Sequence, residues 1–482
     1  MAVVEGCVWV DCDTIPAPKL AKIKKKLTVQ PKGYKSNKPS PIKLYAEKGG
    51  KIGLPRAFYA KHGTGQDLKV EVTDVPAMER VSSLMKFEGP YREQADAIES
   101  VIAHTKSNEY GGFILEAGCG FGKTNVAIQI AYLLQQRTLI LVHKEFFLTQ
   151  WRERIKAFLP GAKVGEIRQG KADVDGCDFV IGMLQSLARD RDGRRYRSAY
   201  RGFGLVISDE CHRIGAQTWA DVIPRFSARW RMGLTATPRR RDGAEDVFKQ
   251  HIGETIYKAK TMGLVPAVRR LSSLFQFIPF SRRGRIVTLS DAGHVDIVSQ
   301  LIEDEGRNEM IADAIIRAAK SGRKVMVVSD RLAHLRVISH AVIGLWGEGE
   351  KPTVDYYTGE WFRNDVTDKK RSRSQEALKK AESAQIIFAT RQMVAEGLDV
   401  QPLDVIVLAT PMSDVEQAVG RVRRHCLPSR KKCERLCPWR SGSCEGKPSP
   451  VVIDVVDGGL PITVAQWMKR LAWYTSIGVG SG

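Results

Sequence analysis

The chain has 482 residues, 43% of them apolar, enough for two or three domains with buried cores. Its 75 Lys and Arg exceed its 54 Asp and Glu, a net charge of +21, which points to a polyanionic partner, most simply nucleic acid. No apolar run approaches the ~18 residues of a membrane span. The stretch Met1–Cys7 has no basic head and is cut by Glu5, and the nine cysteines, an odd count, read as reduced thiols in an intracellular protein.

Residues 1–85 are expected to form a small β-rich basic accessory domain. Between Lys19 and Lys61 there are 13 Lys or Arg against one acid, Glu47. Lys19–Ser40 mixes proline and lysine without apolar periodicity and reads as partly flexible. Ile42–Tyr45 and Lys51–Leu54 alternate like two strands joined by a turn at Glu47–Gly50, and Leu68–Thr73 is a third strand. Tyr34, Tyr45, Phe58 and Tyr59 either stack on bases or fill a small core, and the core reading is preferred.

From 86 to 262, strands alternate with helices, as in a parallel α/β sheet. The strands are Gly112–Glu116, Thr138–His143, Phe179–Met183, Leu205–Asp209 and Arg231–Thr235. Arg189–Arg201 reads as a solvated loop. Residues 263–300 read as a connector. A second α/β series runs on to 482, with strands Lys324–Ser329, Gln385–Thr390, Asp404–Thr410 and Val451–Val456 and helices Arg307–Lys320 and Gln375–Glu382.

The stretch Glu116–Thr124 organises the whole. An apolar strand leads into Ala117-Gly118-Cys119-Gly120-Phe121-Gly122-Lys123-Thr124, and a helical pattern follows. Gly118, Gly120 and Gly122 let backbone N–H groups curl round a polyphosphate, and the helix N-terminus adds its dipole. Lys123 would reach the outer phosphates of ATP, and Thr124 would hold Mg²⁺. Ala117 stands where the strict pattern has glycine. Asp209 and Glu210 lie 86 and 87 residues after Lys123, at the end of a strand in the same domain. Asp209 suits Mg²⁺ through water, and Glu210 suits the base that deprotonates the attacking water.

Asp209-Glu210-Cys211-His212 resembles motif II of superfamily-two helicases and translocases, and the other motifs of that family follow in order. Tyr91–Gln94 resembles the motif upstream of the phosphate loop, which implies that Gln94 reads adenine. Leu141–Lys144 with Gln150-Trp151 is similar to motif Ia, Met183–Leu187 to motif Ib, and Leu234–Pro238 to motif III. Val327–Arg331 resembles motif IV. Ala389-Thr390 with Ala395–Asp399 resembles motif V, and Gln417–Arg424 resembles motif VI. Gly-Leu-Thr-Ala-Thr-Pro-Arg-Arg-Arg-Asp-Gly and Val-Glu-Gln-Ala-Val-Gly-Arg-Val-Arg-Arg look most like the branch containing XPB and the phage helicase UvsW.

The resemblance covers about residues 86–425 and the strand at Val451. It implies two tandem RecA-like parallel-sheet domains, 86–262 and 263–482, with Gly397, Asp399 and Gln417 at the nucleotide. Arg421 and Arg424, at i and i+3 on one helix face, would be fingers that reach the γ-phosphate when a cleft closes. Lys144, Gln185, Ser186, Thr390 and Arg391 are the candidate nucleic-acid contacts, directed at phosphate and sugar.

Cys426, Cys433, Cys437 and Cys444, spaced C-x6-C-x3-C-x6-C, form an insertion over 426–444. They suit Zn²⁺ first and an iron–sulfur cluster second, with free thiols as the alternative. The expected activity is an ATP- and Mg²⁺-dependent DNA helicase or translocase acting on forked or branched DNA. An RNA helicase, a restriction-system motor and a non-catalytic architectural binder are the alternatives.

Overall fold

The computed structural model describes all residues except 1, 32–39, 64–66, 76–80, 88–91, 119–120, 191–192, 215, 237–242, 261–263, 283–284, 360–374, 397–402, 424–448 and 481–482. The chain divides into two compact units, Met1–Thr261 and Met262–Gly482.

In the first unit the main sheet has eight strands. In spatial order they are Lys171–Ala172, Val164–Arg168, Phe179–Met183, Thr138–Val142, Leu205–Ser208, Trp230–Thr235, Gly111–Glu116 and Thr255–Lys258. All neighbours are parallel except the short outer strand Lys171–Ala172. The central strands are apolar along their whole length because helices cover both faces, so Thr138–Val142 and Leu205–Ser208 are buried throughout. Gly112 has to be glycine: a Cβ there would lie 2.2 Å from the Ile252 carbonyl oxygen.

Residues 2–70 add a second sheet, in the order Ala46–Lys48, Lys51–Leu54, Val8–Asp11, Ala2–Val4 and Leu68–Val70. The expected hairpin is present, but its strands are Ala46–Lys48 and Lys51–Leu54, and Gly49 and Gly50 take positive φ at the turn. This sheet is not a body apart. Val4, Val10 and Ile52 belong to the same buried apolar cluster as Trp219, Val222 and Phe226. Phe58 and Tyr59 are buried in it, as the core reading has it.

Two buried arginines staple the layers together without any carboxylate. Arg56 donates to the carbonyls of Glu5 and Ala228, each at 2.6 Å. Arg231 donates to Gly6 O at 2.6 Å, Phe226 O at 2.8 Å and His251 O at 3.0 Å, and burial lowers its pKa to about 10.

The second unit holds a fully parallel six-stranded sheet. Its order is Ala267–Ser273, Val451–Asp457, Val405–Leu408, Val325–Ser329, Ile386–Thr390 and Val354–Tyr357. Both units are therefore α/β layers of the expected RecA-like class. Two buried ion pairs brace this sheet. Arg307 pairs with Asp457 at 2.7 Å, and Arg470 makes two 2.9 Å bonds to Asp454, which also accepts from Tyr474 at 2.8 Å.

Three sequence expectations need correction. Within Lys19–Ser40, residues through Lys26 belong to the helix Ala17–Lys26, which Pro16 opens, while Tyr34 lies outside the described residues. Residues 263–300 are more than a connector: they supply the edge strand Ala267–Ser273, a small hairpin and the helix His294–Glu303. Within Arg189–Arg201, Arg197–Arg201 is helical, and its Ala199 and Tyr200 are buried together with the N-cap residue Tyr196.

Candidate active site

The strand Gly111–Glu116 delivers the phosphate loop. Ala117 N–H donates to Thr235 O at 2.9 Å, which ties the loop's start to the end of the neighbouring strand. Gly122 is the N-cap of the helix Lys123–Leu134 at φ +89°, where any side chain is strained. A Cβ on Gly122 would also come within 2.8 Å of Gln94 Nε2. Lys123 Nζ donates to Ala117 O at 2.8 Å and Gly118 O at 3.4 Å. Gln94 is buried and donates Nε2–H to Phe121 O at 2.5 Å, so it holds the loop as well as standing near it. Thr124 is half-buried in the first turn of the helix. Gly120 and Cys119 lie outside the described residues.

The strand order puts Trp230–Thr235 between the phosphate-loop strand and the strand that ends in Asp209. Parallel register (Thr235 beside Glu116, Ser208 beside Gly233) sends all three ends to one edge of the sheet. Asp209 is buried. Its Oδ2 accepts Trp151 Nε1–H at 2.9 Å, and its Oδ1 accepts Glu210 N–H at 2.9 Å. Burial, then the neighbouring Glu210, pushes the Asp209 carboxyl up to about 6, while Trp151 and Lys123 pull the other way.

Glu210 sits at φ +46°, an uncommon conformation for a residue with a side chain, found where a functional group must be aimed off a strand end. His212 Nδ1 lies 2.8 Å from Thr235 Oγ1 and 3.5 Å from Glu210 Oε2, so it links the acid loop to the next strand. Cys211 is fully buried, and its carbonyl accepts Trp219 Nε1–H at 3.0 Å, a packing residue as its neighbours imply. Thr124 and Asp209 offer hard oxygen donors beside an acidic pair, a set that fits Mg²⁺.

At the same edge, Lys144 is the N-cap of the helix Glu145–Phe158. Gln185 is exposed and donates to His143 O at 2.5 Å, which joins the segments after two adjacent strands. Ser186 is buried, and its Oγ accepts the Gln169 N–H at 3.1 Å, so that hydroxyl is already used within the protein.

In the second unit, Thr390 ends its strand and Arg391 begins the next helix, with a guanidinium nitrogen 3.7 Å from Asp330. Arg421, in the helix Glu416–Val422, donates Nε–H to Val394 O at 3.2 Å. Gln417 is on the same helix, and its Oε1 is buried without a hydrogen-bond partner. Gly397, Asp399 and Arg424 lie outside the described residues, as do Cys426, Cys433, Cys437 and Cys444. Among the described residues no group of three or more His, Cys, Asp or Glu could hold a metal.

Trp151, His212 and Thr235 were not singled out as site residues from sequence. Each lay inside a recognised motif, and the signal was chemical: a Trp, a His and a Thr on otherwise apolar elements need partners.

Residues 88–240 match the sequence family described as "Type III restriction enzyme, res subunit". The chain is 28% identical over 421 residues to the putative ATP-dependent RNA helicase L396 of Acanthamoeba polyphaga mimivirus, covering 84% of this chain and 75% of that relative. It is 25% identical over 376 residues to the probable helicase D10 of Escherichia phage T5, covering 76% and 72%. Among solved structures it is similar to the Pyrococcus furiosus Hef helicase domain, at 14% identity and a TM-score of 0.45 over 77% of this chain and 98% of that one. It is also similar to T4 UvsW, at 16% identity and a TM-score of 0.38 over 99% and 98%. On its matched domain and its relatives, the chain is a helicase-type enzyme.

Proposed function

We propose that this chain is a nucleic-acid-stimulated ATPase that moves on DNA and remodels forked or branched DNA. The observation that carries the ATPase part is the shared sheet edge, where Lys123 on the phosphate loop acts on the charge of Asp209 at the end of the second strand over. Bound Mg²⁺ would neutralise phosphate charge, held by Thr124 and Asp209. Glu210, aimed by its left-handed backbone, takes the proton of the attacking water, and His212 fixes the Glu210 carboxylate against Thr235.

Arg421 and Arg424 complete the site from the second unit when nucleotide is bound, with Gly397, Asp399 and Gln417. Loss of the γ-phosphate releases that grip, and the alternation becomes movement if each unit holds a strand. Lys144, Gln185, Thr390 and Arg391 are the strand contacts. Ser186 contributes through its backbone, because its hydroxyl is taken. The four late cysteines bind zinc, on their spacing alone. The surplus of basic residues supports a polyanionic track.

DNA is preferred on the resemblance of the motif III and motif VI runs to the XPB and UvsW branch. RNA is the second reading, favoured by the printed name of the mimivirus relative. ATPase rates with matched DNA and RNA forks decide between them, with stimulation by the DNA fork alone expected. Lys123→Ala and Glu210→Gln should each abolish turnover. An undiminished rate in Glu210→Gln would remove Glu210 from the role of base. The matched family name also makes a plasmid-cleavage assay with Mg²⁺ and ATP worthwhile: cuts would move the reading to a restriction motor.

A further inference from the structure

The helix Glu145–Phe158 carries one aromatic ring on its polar side. Leu148, Trp151 and Ile155 are its buried residues, spaced i, i+3 and i+7, so they mark the stripe that faces the core. Phe147 flanks that stripe and packs against the apolar cluster that contains Trp151 and Ile155. Phe146 stands about 200° round the helix from Leu148. The residues that share its side, at i+3, i+4 and i+7, are Thr149, Gln150 and Glu153. Among the described residues, Phe146 belongs neither to a buried apolar cluster nor to the side chains packed against one. Its half-buried ring meets the Phe147 ring edge-on, with centroids 6.0 Å apart. Core filling does not account for a phenyl ring at that position.

The turn that carries it is anchored. The His143 ring lies 5.3 Å from that of Phe147, and the His143 carbonyl accepts the Gln185 side-chain N–H at 2.5 Å. Glu145 pairs with Arg168, at the end of the strand Val164–Arg168. Three rings, His143, Phe147 and Phe146, therefore form a continuous row from a strand end to the polar side of the helix.

Chemistry narrows what covers the last ring. Phe146 is two residues past Lys144, the N-cap of a 14-residue helix whose dipole favours phosphate at that end. Lys144 and Gln185 are the candidate phosphate and sugar contacts. A strand gripped there by its backbone leaves the faces of its bases uncovered, and a phenyl ring beside those contacts is a surface for such a face.

We propose that Phe146 stacks on one base of the bound strand, a site for a base face beside the phosphate contacts. The proposal rests on the motor reading above. The test uses the full chain and two labelled single DNA strands of equal length. One has all its bases, and the other is abasic throughout, which keeps every phosphate and removes every ring. Phe146→Ala should weaken binding of the base-bearing strand by about tenfold and leave binding of the abasic strand within about twofold of wild type. The slope of log affinity against log salt should not change, because no phosphate contact is removed. Phe146→Trp should keep wild-type affinity. The quenching of a 2-aminopurine strand at saturation should be lost in Phe146→Ala and restored in Phe146→Trp.

Equal weakening on both strands, or wild-type affinity of Phe146→Ala for the base-bearing strand, overturns the stacking role. So does a loss that tracks a change of oligomeric state in sedimentation, since the ring would then belong to a contact between copies. A broadened unfolding transition in both variants makes Phe146 a core residue and overturns it as well. Wild-type protein that binds neither strand ends the motor reading itself, an outcome that needs no variant to recognise.

Discussion

Trp151 donates its indole N–H to Asp209 Oδ2 at 2.9 Å, so the helix capped by Lys144 is bonded directly to the carboxylate beside the phosphate loop. One bond links a candidate strand contact to a candidate metal ligand. Trp151→Phe keeps a ring and removes the donor. The Mg²⁺ concentration giving half-maximal ATPase activity should rise several-fold, and maximal stimulation by nucleic acid should fall by about tenfold. A magnesium titration with and without nucleic acid measures both. Unchanged magnesium dependence would reduce Trp151 to a packing residue.

The N-terminal sheet should not come off cleanly. Its apolar residues share a cluster with Trp219, Val222 and Phe226, and Arg56 reaches across to Ala228 O. A chain starting near residue 76 should lose cooperative unfolding of the first unit and bind a hydrophobic dye. Arg56→Ala should cost about 1–3 kcal/mol by stranding buried carbonyls, read from urea unfolding. A truncated chain with a sharp transition and intact ATPase would show that the layer is an ornament.

The Arg307–Asp457 pair is fully buried, and Arg307 also donates to Ala409 O at 2.8 Å. Asp457→Asn should destabilise the protein by roughly 3–5 kcal/mol, because it strands a buried cation. Replacing both partners by leucine should cost less than Asp457→Asn alone. Equal losses in the two would mean that the charge is not what matters.

Acid should loosen both units. His334 and His251 are buried, and burial lowers each pKa to about 3, with Arg307 and Arg231 respectively adding to the effect. His334 is held neutral between Ser329 Oγ at 3.0 Å and Asn308 Oδ1 at 2.9 Å. Asn308 Oδ1 can only accept, so Nε2 carries the proton and Nδ1 accepts from Ser329. Between pH ~6.5 and ~3 the unfolded chain binds protons that the native histidines refuse, so stability is full above this window and falls as pH drops through it. The slope approaches about 1.4 kcal/mol per pH unit for each histidine. His334→Gln should flatten the acid limb of a melting-temperature profile, and an unaltered limb would assign it to other groups.

Five strands of the first main sheet and four of the second were legible to within about two residues, because a parallel strand covered on both faces leaves an unbroken apolar run. Thr138–Val142 and Phe179–Met183 are plain examples. The helix Ala17–Lys26 was not legible, because five of its own residues, Lys19, Lys22, Lys24, Lys25 and Lys26, are lysines that hide the spacing of Leu20, Ile23 and Leu27. The edge strand Ala267–Ser273 was missed for a similar reason. It is covered less than the central strands, so Arg269 and Arg270 interrupt its apolar pattern. Phosphate-loop and acid-loop residues were readable because their chemistry dictates type and spacing. Long-range polar links such as Trp151 to Asp209 leave no spacing to read.

The carbonyl staples made by Arg56 and Arg231 have a practical consequence. Dissolved ions compete with carboxylates for a guanidinium at the surface but have no route to one sealed among peptide oxygens. Washing the protein in concentrated chloride should therefore strip any polyanion from it while the two layers of the first unit stay joined, and the enzyme recovered by dialysis should be as active as before.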